Sequence, residues 1–134
     1  MNFKKFQFTL QTIKREQFIL ITQNIQDIVT NSGIKDGLCK IFIPHTTAGI
    51  TINENTDPDI RKDFTSFLDE IIPPLKRYRH SEGNSDAHIK SSLIGSSLDV
   101  IIEHGLLDLG QWQGIYFSEF DGPRTRIVKI MIIY

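Results

Sequence analysis

The chain has 134 residues, 40% of them hydrophobic and 23% charged, a balance that separates it from disordered tails and fibrous repeats and gives room for one domain. Fifteen Lys and Arg against sixteen Asp and Glu leave a net charge of −1, so the strongly basic face of a nucleic-acid binder is not expected and no nucleic-acid partner is assigned. One cysteine, Cys39, excludes an internal disulfide and a two-cysteine zinc motif, and its ordinary place is buried in a strand.

Phe6, Phe8 and Leu10 alternate with Gln7, Thr9 and Gln11, the period of a half-buried strand. No apolar run is long enough to span a bilayer, and Met1–Leu10 lacks the character of a signal peptide. A cytoplasmic protein without a membrane partner is therefore expected. Phe18–Ile21 reads as a second short strand. Ile25, Ile28 and Val29 then fall at helical spacing, with Thr22 as the expected cap and Gly33 as the stop. Leu38–Ile43 returns to strand and Pro44 ends it; Ile50 and Ile52 mark another short strand. The strongest helix pattern is Pro58–Ile72, where Ile60, Phe64, Phe67, Leu68 and Ile71 form one stripe, Asp57 caps and Pro73-Pro74 closes. Lys76–Asp86 is polar. A short helix follows from about Ala87, with Asp86 as cap, through Leu93 to Gly95. Strands Leu98–Ile102, Trp112–Phe120 and Arg126–Tyr134 complete the chain, with turns at Gly105 and at Asp121-Gly122-Pro123.

The expected fold is α+β, a compact single domain spanning residues 1–134 with a mostly antiparallel β-sheet and two or three helices. The last strand is apolar on both faces, so it is central in the sheet or covered by a partner chain, and a homo-oligomer is expected.

Three groups of polar residues stand where chemistry is usually mounted, at strand ends and in loops. His45 follows a strand end, His80 lies in the loop Arg77–Gly83, and His88 sits in the first turn of the short helix. Brought together, three imidazoles hold a zinc-like ion with one open position, although their spacing matches no standard metal motif. His104 reads as a turn residue. Glu54 and Glu119 end strands, where a carboxylate serves as general base or orients a metal-bound imidazole. Asp121, beside Gly122-Pro123, reads as a solvated turn. Lys76, Arg77, Arg79, Arg124 and Arg126 offer cations. The helix start over Ala87–Ser92, with Lys90, Ser91 and Ser92, offers amides and hydroxyls for a phosphate. No phosphate-binding P-loop, dinucleotide fingerprint or nucleophile elbow is present.

Joined in order, these blocks resemble the YjbQ-like family, also described as secondary thiamine-phosphate synthase. The blocks that carry the resemblance are His45-Thr46-Thr47-Ala48-Gly49-Ile50-Thr51-Ile52-Asn53-Glu54, then Asp57-Pro58-Asp59, then His80 with Glu82-Gly83. Ala87-His88-Ile89-Lys90-Ser91-Ser92-Leu93 with Gly95 follows, and then Leu109–Ile115, Glu119 and Arg124. Two departures stand out. Gln111 occupies the position where the family usually has Thr before Trp-Gln, and the acidic run before Ala87 is reduced to Asn84-Ser85-Asp86.

The resemblance implies a small α+β homotrimer with a cleft near the subunit interface. It implies His45, His80 and His88 around a zinc-like ion, Glu54 and Glu119 as acidic neighbours, and Arg124 as a phosphate contact. The implied activity joins hydroxymethylpyrimidine diphosphate to a thiazole phosphate and releases pyrophosphate. Glu54, Glu119 and His80 are then the catalytic candidates, and Arg124, Lys90, Ser91 and Ser92 the substrate-binding ones. Pyrophosphate chemistry more often uses Mg²⁺, which makes it the second cofactor candidate. Two alternatives stay open at this point: a metal-dependent hydrolase of small phosphoesters, and a non-catalytic protein that binds a metal or a phosphorylated metabolite.

Overall fold

A computed structural model describes residues 1–75 and 77–134; Lys76, one of the expected loop cations, lies outside the described residues. Strand β1 (Phe3–Gln11) turns Phe6, Phe8 and Leu10 inward, as their alternation requires. It pairs antiparallel along its whole length with β8 (Thr125–Ile133), from Phe3 opposite Ile133 to Gln11 opposite Thr125. On the other side of β8 lies β3 (Gly37–Phe42), in a register that ends with Phe42 opposite Lys129. Then come β5 (Ser97–Glu103) and the two-residue β6 (Leu106–Leu107), giving the order β1-β8-β3-β5-β6. The last strand is thus paired on both sides, in accord with its apolar sequence.

A second sheet has the order β2-β7-β4, from β2 (Gln17–Leu20), β7 (Gln113–Glu119) and β4 (Ala48–Glu54). Every pairing in both sheets is antiparallel. The main core fills the space between the sheets, with Ile41, Ile43, Ile50, Phe117, Val128, Ile130 and Ile132 among its members. Each such side chain removed from water contributes roughly 1.5–3 kcal/mol before entropy is counted. Helix α1 (Thr22–Ser32) adds Ile25 and Val29 to the same core. Gly33 ends α1 with φ 74°, a left-handed conformation in which its N–H reaches the Thr30 carbonyl. Thr22 opens this helix instead of capping it, because its hydroxyl is used elsewhere, accepting the Ile115 N–H of β7 at 2.8 Å.

The far face of the second sheet is covered by α2 (Asp59–Ile71) and α3 (Ser85–Ile94), over a smaller core of Phe18, Leu68, Ile72, Ala87, Tyr116 and Phe120. Pro58, expected in the first turn, holds the cap position of α2; Asp57, expected as the cap, lies one residue before it, where its carboxylate accepts the Asp59 N–H at 2.9 Å. For α3 the expectation fails. Asn84 holds the cap position and Asp86 lies inside the first turn, fully buried, where it pairs with Arg15 at 3.0 Å.

The five-stranded sheet has a bare outer face. Phe3, Phe42, Ile101 and Leu106 are exposed there, with Met131 and Ile133 half-buried beside them. Among the described residues no helix is long and apolar enough to cross a membrane.

Candidate functional site

Between the end of β3 and the start of β4 the chain crosses one end of the β-sandwich, and there a cleft of about 550 Å³ opens. Its walls come from three places: Pro44, His45 and Thr46 on the crossing, Glu82, Asn84 and His88 at the start of α3, and Asp121 and Arg124 on the β7–β8 turn. A side hollow of about 360 Å³ continues between His45, His88, Ser92 and Ser96. Another hollow of about 550 Å³ lies on the outer face of the large sheet, but it is lined by Lys5, Lys40, Phe42, Lys129 and their neighbours, without imidazole or carboxylate. Chemistry selects the first.

The crossing is shaped by Pro44. Continued past Phe42 and Lys129, the β3–β8 register would set Pro44 against Ile127. The chain turns away at Pro44, and the Ile127 N–H is taken up by the His45 ring, whose Nε2 accepts it at 2.9 Å. Burial lowers the His45 pKa from 6.5, and the neighbouring Arg126 guanidinium lowers it further.

His80 and His88 meet edge to face, with ring centroids 5.1 Å apart. His80 is exposed and its Nε2 stands 3.8 Å from a Glu82 carboxylate oxygen, while His88 is half-buried on α3. Arg124 lies at the rim. Its Nη2 donates to Asp121 Oδ2 at 2.9 Å and its Nε to the Asp121 carbonyl at 2.7 Å. Asp121 also accepts from Asn84 Nδ2 at 2.8 Å. Burial alone would raise the Asp121 pKa, but the hydrogen bonds from Asn84 and Arg124 overcome this and hold it below the usual carboxylate range. From the sequence Asp121 belongs to a solvated turn. Its Gly-Pro neighbours are an ordinary turn signal, and only the fold shows that this turn forms one wall of the cleft.

The acidic candidates separate. Glu119 is fully buried below the cleft. Its Oε1 accepts the Thr12 hydroxyl at 2.7 Å and Arg126 Nε at 2.9 Å. Its Oε2 accepts Arg126 Nη2 together with the N–H groups of Phe120 and Asp121. Arg126 is closed off in the same way, since it also donates to the Thr47 hydroxyl at 2.8 Å. This pair is therefore a foundation for Thr47 and the crossing, not a free base and a free phosphate contact. Glu54 lies elsewhere. In the antiparallel β4–β7 register Ala48 faces Glu119 and Glu54 faces Gln113, so Glu54 stands six residues along the strand from the cleft end, about 20 Å at ~3.4 Å per residue.

Of the α3 candidates Ser91 and Ser92 border the side hollow, and the Ser92 hydroxyl donates to the His88 carbonyl at 3.0 Å. Ser91 is buried and commits its hydroxyl to the Ala48 carbonyl at 2.7 Å. Lys90 points away, fully buried among carboxylates: Glu16, Asp69 at 2.6 Å and Asp86 at 3.6 Å. Burial opposes its charge, but the hydrogen bonds to Asp69 and Glu16 outweigh this and hold its ammonium above the ordinary range. Arg77 and Arg79 are exposed and border none of the hollows described above. His104, as expected, belongs to a turn, with φ 52°.

Among the described residues no three His, Cys, Asp or Glu side chains converge as an ion-holding group. The expected trio of His45, His80 and His88 does not fit one, because the His45 Nε2 lone pair is already used by Ile127 and its protonated Nδ1 has none to give.

Comparison with known proteins places the whole arrangement in one group. Residues 6–134 match the family described as UPF0047 protein YjbQ-like. A UPF0047 protein of Methanocaldococcus jannaschii is 52% identical over 96% of this chain and 93% of its own, and the UPF0047 protein YugU of Bacillus subtilis is 51% identical over 92% and 95%. The crystal structure of a YjbQ/UPF0047 family protein from Clostridium acetobutylicum superposes with a TM-score of 0.93 at 55% identity, covering 96% of this chain and 99% of that one. The names these relatives carry state a family and no reaction.

Proposed function

Because the chain belongs to the YjbQ-like UPF0047 family, we propose that its cleft binds a small phosphorylated or diphosphorylated metabolite and catalyses transfer at that phosphorylated group, with thiamine-phosphate formation within its range. The observation that carries this reading is the convergence, on one cleft, of the rim guanidinium of Arg124 with His88 and its edge-to-face partner His80. A planar guanidinium matches phosphate oxygens, and an imidazole pair offers both a proton donor and an acceptor.

In the condensation, the thiazole nitrogen lone pair forms the new C–N bond to the pyrimidine methylene carbon. The C–O bond to the diphosphate breaks, and its electron pair leaves on pyrophosphate. Arg124 stabilises that growing charge and His88, which lines the cleft, delivers a proton to it, with His80 as the relay behind it. Glu54 and Glu119 take no part in this scheme, for the reasons of placement given above. The same reading takes the protein as a homotrimer, a number that comes from the family resemblance; the bare apolar face of the large sheet supports an oligomer.

The experiment is incubation with hydroxymethylpyrimidine diphosphate and thiazole phosphate, with products followed by chromatography. Thiamine phosphate is expected, with kcat/KM falling about 100-fold in Arg124→Ala and turnover lost in His80→Ala and His88→Ala, all three folded. Release of inorganic phosphate without condensation would select a phosphoester hydrolase. Tight binding without any product would replace the enzyme reading with that of a binding protein.

A further inference from the structure

One imidazole of the cleft has no role in the proposed transfer. His45 borders both the main cleft and its side hollow, yet it is not part of the His80–His88 pair. Its ring is held by the sheet. At the point where Pro44 breaks the β3–β8 ladder, Ile127 has a backbone N–H left to satisfy, and His45 Nε2 accepts it at 2.9 Å. A neutral imidazole has one lone pair and one N–H. A ring that accepts through Nε2 therefore carries its proton on Nδ1. To ligate a metal or take a proton through Nε2 it would have to release Ile127 and leave a strand amide unpaired.

We infer that His45 is locked by the Ile127 amide as the neutral Nδ1–H tautomer and works as a hydrogen-bond donor to an anionic oxygen of the ligand, neither a metal ligand nor a general base. The tautomer follows from the sheet geometry alone; the identity of its acceptor rests on the phosphate reading above. The groups around the ring fit a donor. The Arg126 guanidinium on β8 disfavours a second positive charge there, while Glu119 behind it is already paired with Arg126. Arg124 and His45 line the same cleft, from the β7–β8 turn and from the β3–β4 crossing. A phosphate seated in the cleft would take a charged contact from one and a neutral donor from the other. A neutral imidazole in such a place stabilises charge as it develops without itself changing protonation state.

The first test is long-range ¹H–¹⁵N correlation of the histidine rings in labelled free protein, with His45 identified by the loss of its signals in His45→Gln. The expected result is a protonated Nδ1 and an unprotonated Nε2 at neutral pH, with neither resonance moving when zinc is added. A protonated Nε2, or a zinc-dependent shift at either nitrogen of His45, would overturn the assignment. The second test is calorimetric titration with inorganic pyrophosphate. His45→Ala is expected to weaken binding roughly tenfold, the scale of one lost hydrogen bond. His45→Gln should recover most of it, because the amide can accept from Ile127 and still donate into the cleft. Equal affinity in wild type and His45→Ala removes the donor role. If pyrophosphate fails to bind the wild type, the phosphate reading falls, while the ring resonances still decide the tautomer.

Discussion

At the scale of single residues, the polar groups with the clearest consequences are those whose hydrogen bonds are already spoken for. His45 has a folded pKa below its ordinary 6.5, first because it is buried and then because Arg126 is near. A base depressed in this way contributes stability that is complete above about pH 6.5 and is lost as pH falls through the folded value. Melting temperature should therefore drop from about pH 7 to about pH 5, and His45→Gln should remove part of that slope. An unchanged slope in the variant would mean that other groups set it. Cys39 shows the opposite extreme. Burial pushes its thiol up to about 12, so alkylating reagents should modify it only after unfolding.

At the scale of elements, α3 is the part the cleft depends on, because it carries His88 and is fixed from two sides. On one side the Lys90 ammonium holds Glu16, Asp69 and Asp86, which belong to the β1–β2 connection, α2 and α3. Lys90→Met leaves buried carboxylate charge uncompensated and should cost about 3 kcal/mol in chemical denaturation. On the other side α3 ends against β4. A Cβ on Gly49 would stand 2.6 Å from the Gly95 carbonyl oxygen and 3.2 Å from Ile94 Cγ2. Gly49→Ala should therefore destabilise the fold by about 1–3 kcal/mol and shift the His80–His88 ring signals in NMR. Both sets of contacts lay outside what the sequence could convey. Lys90 is a substrate-binding candidate in the sequence because it stands in the Ala87–Leu93 block of the family resemblance, and nothing local announces that Glu16 and Asp69 converge on it from other elements.

The same boundary explains the rest. Alternation in Phe6–Leu10, the stop at Gly33 and the break at Pro44 are local physics, and the structure has a strand, a helix end and a strand end at those places. The start of α3 was misplaced because Asn84 and Asp86 are both good cap residues two positions apart. Strand β6 is two residues long and carries no period at all. Glu54 and Glu119 were alike in sequence, each a carboxylate at the end of a strand. Their separation is a matter of strand register, which depends on residues far along the chain.

At the scale of the whole molecule, the two sheets and the helix pair form three layers, and the fourth surface is bare. Ile101 is 59% exposed on β5 and Leu106 61% on the edge strand β6, large apolar side chains left to water on one face. Under the trimer reading, light scattering should give three times the 15.4 kDa chain mass, and Ile101→Glu should lower that mass while leaving the monomer fold intact. A wild-type monomer would refute that assembly. Phe42 belongs to this bare face and also borders the cleft. The Ile127 amide gives a way to listen to both. It sits in a strand of the bare sheet and its proton rests on a ring in the cleft, so one backbone N–H is shared by the architecture and the chemistry. Its rate of exchange with solvent deuterium is therefore a gauge of cleft occupancy that needs no substrate turnover: a ligand that tightens the imidazole slows that single amide.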